Sequence, residues 1–157
     1  MYTKKVITLD EARTMAEAVF EESKKMSEAV IAVAIVDDHG ELVYFAREDG
    51  AAPLLVHMAK RKAYTAARMN TDTGPWAEFQ KKKNREMASW LTCDPKLTGI
   101  QGGAVIKLPG SGDGSPESML SYKDTIGGVG VSGKWSEEDE KLARLAVKVF
   151  NELNSNR

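Results

Sequence analysis

Cysteine is all but missing from this chain: Cys93 stands alone in 157 residues, which excludes an intramolecular disulfide and makes the fold independent of an oxidising compartment. Histidine is nearly as scarce. With only His39 and His57, a metal site built from several imidazoles is excluded, whereas a single axial ligand is not. No G-x-x-x-x-G-K-S/T, paired C-x-x-C, H-E-x-x-H or G-x-S-x-G occurs, so a P-loop nucleotidase, a zinc site of standard spacing and an α/β-hydrolase have no support. Neither sign of charge dominates. The 22 basic and 23 acidic residues leave a formal net charge of -1, and no basic-aromatic recognition motif appears, so no nucleic-acid partner is expected. The one basic run, Lys81–Arg85, reads as a solvated surface, with phosphate or acidic lipid as the lesser alternative. No apolar stretch approaches the roughly 20 residues of a membrane span, and residues 1–12 lack the apolar centre of a leader, so the expected location is the cytoplasm, away from membranes.

What is present is enough apolar residue, 42%, for one domain spanning 1–157 with a real core. Its centre is the stretch Ile31–Ala51. Residues 29–36 are all apolar, as a strand buried on both faces requires. Asp37-Asp38-His39-Gly40 then supplies a polar reversal ending in glycine, and Glu41–Arg47 alternates Leu42 and Tyr44 against Val43 and Phe45 as a second strand. Before this hairpin, Thr8 and Glu11 form a capping box for a helix expected from Leu9 to about Met26. After it, Pro53 opens a helix whose stripe is rich in small residues: Ala59, Ala63, Ala66 and Ala67, with Lys62 among them. Asn70–Pro75 is a turn signal, followed by one or two short helices carrying Trp76, Phe79, Met87 and Trp90. A strand at Ala104–Leu108 leads to the Gly-, Ser- and Pro-rich stretch Pro109–Ser118, expected to be an exposed, mobile loop. Strands near Met119–Tyr122 and over Ile126–Val131 follow, and Ser136–Asp139 caps a last helix with strict helical spacing. The pattern predicts an α+β fold, a five-stranded and mostly antiparallel sheet with helices packed on it.

The order V-D-x-x-G-x-L-V then R-x-D-G-A (Val36, Asp37, Gly40, Leu42, Val43; Arg47, Asp49, Gly50, Ala51) resembles the GlcG/HbpS-like family, which includes the C-terminal domain of PduO-type proteins. Further matches come in the same order: Ala59–Ala63 for an A-x-x-K-A helix, Gly102–Ile106, Ile126–Gly133 and Glu138–Glu140. The resemblance implies a profilin-like layered sheet, assembly into dimers or larger homo-oligomers, and haem or a related tetrapyrrole as the ligand, for sensing, storage or degradation.

Read from the residues themselves, His57 is either a haem-iron ligand or base, and so the metal-ligating candidate, or a surface or subunit-contact histidine. Arg47 ends an apolar strand, and Lys62 sits on a stripe that should be buried, where a cation needs a carboxylate or a ligand. Ion pairing with Asp37 or Asp49 and binding of an anionic ligand are both open. Gly127, Gly128 and Gly130 permit close approach of a ligand or of packed backbone, and their spacing is not a dinucleotide fingerprint. The candidate ligand-binding set is Arg47, Asp49, His57, Lys62, Gly127 and Gly128, placed where the hairpin end, the second helix and the glycine-rich strand meet. The expected function is binding of a small molecule. The alternative is a cofactor-independent enzyme acting on a small carboxylated or carbonyl substrate, with Arg47 and Lys62 holding the anion and His57 or Asp49 moving a proton.

Overall fold

A computed structural model describes residue 1, residues 3–120 and residues 122–155. In chain order the elements are α1 (Leu9–Ser23), β1 (Ala32–Asp37), β2 (Leu42–Arg47), α2 (Pro53–Met69), α3 (Thr73–Lys82), α4 (Met87–Cys93), β3 (Gly103–Lys107), β4 (Thr125–Ser132) and α5 (Ser136–Asn154). The sheet runs β2-β1-β4-β3 and every neighbouring pair is antiparallel. The fold is therefore α+β.

The unbroken apolar run of β1 follows from its central place. Val33 and Ile35 join the larger core with Met15 and Val19 of α1 and Leu142 and Phe150 of α5. Ala32, Ala34 and Val36 point the other way, onto Ala59, Ala63 and Ala67 of α2. The two sides differ in bulk. The α1/α5 side is filled by branched and aromatic side chains, while on the α2 side small residues bring helix and sheet backbones together. A Cβ at Gly128 would collide with the Ala63 carbonyl, and one at Gly130 with that of Ala59. The hairpin turn also closes as the sequence requires, with Gly40 at φ +87° and its N–H donating to the Asp37 carbonyl at 3.0 Å.

Three expectations need correction. Four strands are described, not five: the stretch expected as a strand forms 3-10 turns at Pro116–Leu120 and Tyr122–Asp124, and Ser121 lies outside the described residues. In place of an outer strand beside β3, side chains satisfy two of its edge N–H groups. Thr73 Oγ1 accepts the Gly103 N–H at 2.9 Å and Asp72 Oδ1 accepts the Val105 N–H at 2.9 Å. The Pro109–Ser118 loop is largely exposed over Pro109–Asp113 and again at Glu117 but is anchored at its centre. Gly114 is buried and its carbonyl accepts from Thr71 Oγ1 (2.6 Å) and the Asp72 N–H (2.8 Å). The first helix stops at Ser23 rather than near Met26, where Lys24 and Lys25 turn outward and exposed. Its capping box is present as expected: Thr8 Oγ1 accepts the Glu11 N–H while Glu11 accepts the Thr8 N–H.

Candidate functional site

The residues singled out from the sequence do not converge on one pocket. Arg47 and Asp49 are exposed at the end of β2, where the Arg47 guanidinium makes a long 3.4 Å contact to the Ala51 carbonyl. Lys62 points into the protein. Its ammonium, 2% exposed, donates to Asp139 Oδ2 at 2.9 Å and to the Val131 carbonyl at 2.8 Å. The internal ion pair thus exists, with Asp139 of α5 in place of Asp37 or Asp49. Burial holds the Lys62 ammonium below the ordinary lysine range and pushes the Asp139 carboxyl up, each opposed by the other's charge. A Cβ at Gly127 would strike the Val36 carbonyl of β1, so Gly127, like Gly128, serves backbone packing. The corner where strand, hairpin and α2 meet is filled by the protein itself.

His57 belongs to a different surface. His57, Lys60, Arg61 and Tyr64 stand at i, i+3, i+4 and i+7 on α2 and form an outward stripe, opposite the alanines that face the sheet. With Val36, Gly40, Glu41, Leu42 and Lys96 they line a groove of about 310 Å³ between α2 and the hairpin. Tyr64 fixes its wall. The ring packs against Gly40, where a Cβ would clash, and the hydroxyl donates to Asp94 Oδ2 at 2.6 Å. Burial first, and then the bond to Asp94, raise the Tyr64 phenol, which keeps it a neutral donor. Lys96 lies over the Tyr64 ring at 5.2 Å and Lys60 is 5.9 Å from the Phe45 ring centroid, so both cations flank the groove on aromatic surfaces. The groove therefore combines one exposed imidazole, three cations, the Glu41 carboxylate and an apolar wall of Leu42 and the tyrosine ring, with Val36 at its floor.

A second polar cluster went unread in the sequence. Asp72, 3% exposed, accepts the Val105 N–H and the Arg144 Nε–H (3.1 Å), and Arg144 also reaches Glu140 at 3.3 Å. Burial raises the Asp72 carboxyl to about 6 despite the nearby Val105 N–H and Arg144. Gln101 donates to the same Glu140. The network joins the α2–α3 turn, the edge of β3 and α5, and its signal in sequence was only the polar density of Asn70–Thr73.

Residues 7–148 match the family model described as haem degrading protein HbpS-like. The chain belongs to this HbpS-like family. Escherichia coli (strain K12) Protein GlcG is 30% identical over 132 residues, covering 84% of this HbpS-like chain and 85% of GlcG. A double mutant of Streptomyces reticuli HbpS superposes with a TM-score of 0.76 at 28% identity, over 95% of this chain and 90% of that one. The PduOC:Heme complex superposes at 0.73 with 23% identity, over 92% and 95% of the two chains, a likeness of fold. Among the described residues of the HbpS-like chain, no helix is long and apolar enough to cross a membrane.

Proposed function

We propose that this protein binds haem or a related tetrapyrrole in the groove between α2 and the hairpin, with His57 as the iron ligand. The observation that carries the reading is the placement of one free imidazole within a turn of Lys60 and Arg61, opposite Lys96, beside an apolar wall. That donor set suits the group: an imidazole nitrogen for iron, cations for two propionates, and Leu42 and the Tyr64 ring for one face of the macrocycle. The family description and the haem complex of a structural neighbour support the same chemistry. A groove of about 310 Å³ is small for so large a plate, so it holds one face or edge and leaves the other for solvent or a second subunit. Bound haem supplies a redox-active iron. The chain's own part is to hold and orient it.

Titration with haemin tests this. The wild type should develop a sharp Soret band with 1:1 stoichiometry, His57→Ala should lose the ligated-iron spectrum, and Lys60→Glu with Arg61→Glu should weaken binding by about tenfold or more. An unchanged spectrum and affinity in His57→Ala would refute the groove.

A further inference from the structure

We propose a second ligand site, in the cleft bounded by α3, residues 99–101 and α5, for a small molecule carrying both an amide and a carboxylate. The cleft measures about 760 Å³ and shares no residue with the His57 groove. Gln80 lines it. This side chain is 1% exposed, and neither its Nε2 nor its Oε1 has a hydrogen-bond partner. Trp76, one turn earlier on the same face of α3 and wholly buried, leaves its Nε1–H equally unpaired. Among the described residues these three are the buried side-chain nitrogen and oxygen atoms without a partner. An orphaned buried polar atom is destabilising, and a methionine or leucine at position 80 would avoid that loss. A carboxamide presents a donor and an acceptor in one plane, and the group that answers both at once is another amide.

The charges around the cleft supply the second half of the specificity. Glu78 is paired with Lys81 at 2.8 Å, and Glu140 with Arg144 at 3.3 Å and with Gln101. Arg85 has no carboxylate within ion-pair distance among the described residues. Its guanidinium lies 5.9 Å from the Phe79 ring centroid, at the rim of the cleft, and its backbone N–H donates to the Gln80 carbonyl at 2.9 Å. An arginine left in this state selects a carboxylate. The apolar remainder, Ala77, Met87 and Ile100, suits a short aliphatic spacer between the two groups. Entry is through the weakest cover in the fold: α4 has no buried residue, and the flexible Met87 side chain packs over Gly99. N-acylamino acids and carboxamido acids have the required pattern.

The probe is N-acetylglycine titrated into the full chain, followed by the Trp76 indole N–H resonance. A saturable shift is expected, with acetate and acetamide each at least about tenfold weaker. Arg85→Ala, an exposed change, should lower affinity by about tenfold or more without moving the melting temperature. Gln80→Met should abolish the shift, and His57→Ala should leave it intact, which separates this site from the haem groove. Absence of a saturable shift, acetate binding as well as N-acetylglycine, or full affinity in Arg85→Ala would each overturn the proposal. The Arg85 variant decides the matter even if Gln80→Met does not fold.

Discussion

At the scale of single residues, the buried pair Lys62–Asp139 is the most exacting arrangement in the protein. The ammonium and carboxylate are both almost without solvent, 2% and 3% exposed, and each is tied further, Lys62 to the Val131 carbonyl and Asp139 to the Lys134 N–H. Removing one member leaves the other charged and unpaired, which costs about 3–5 kcal/mol, whereas replacing both by apolar groups of similar shape removes the desolvation cost as well. Lys62→Met alone should therefore lower the melting temperature markedly, and Lys62→Met with Asp139→Leu should recover most of the loss. Thermal melts of the single and double variants check this, and a double variant no better than the single one would show that Lys62 acts through something other than Asp139. The sequence shows that Lys62 is buried, since it sits among alanines at helical spacing. It does not show the partner, because Asp139 is 77 positions away and reads as a helix-capping acid. Gly127 and Gly128 share this ambiguity: close approach is legible, but what approaches is not.

At the scale of elements, the polar turn between α2 and α3 takes the part of the missing fifth strand. Asp72 and Thr73 hold the edge of β3, and Gly114 docks beneath them with its carbonyl accepting two hydrogen bonds. Apolar periodicity announces β1, α2 and α5, whereas an edge closed by side chains leaves no periodic trace, so residues 116–124 are open to misreading as a strand. Two glycines of the same loop, both in the left-handed region at φ +82°, separate its anchored and free halves. At Gly110 an added Cβ meets nothing, so Gly110→Ala carries only left-handed strain, roughly 1–2 kcal/mol. At Gly114 the same carbon would collide with the Asp72 carboxylate and disturb its bond to Val105 as well. Gly114→Ala should lower the melting temperature at least about twice as far as Gly110→Ala. Equal effects would mean that the docking of Gly114 contributes nothing.

At the scale of the whole molecule, apolar surface remains uncovered at one end of the sheet. The pairing of Ala32 with Arg47 and with Ser132 places the end of β2, the end of β4 and the chain entering α2 together. There Leu54 is 66% exposed and Trp135 82%, and at the opposite end of β2, an edge strand, Leu42 is 49% exposed. Single exposed apolar residues are common, but large ones at both ends of an edge strand with no outer neighbour among the described residues are the usual material of an interface. A second copy would also cover the open side of the His57 groove, since Leu42 belongs both to that groove and to the β2 edge. We therefore expect a dimer or larger assembly at micromolar concentration, read by light scattering as a mass well above the 17.2 kDa of one chain. Leu54→Glu with Trp135→Glu should shift the mass towards that of one chain while leaving the far-ultraviolet circular dichroism unchanged, because neither side chain belongs to the core. A wild type that scatters as 17.2 kDa would rule the assembly out and leave the outer face of the groove to solvent.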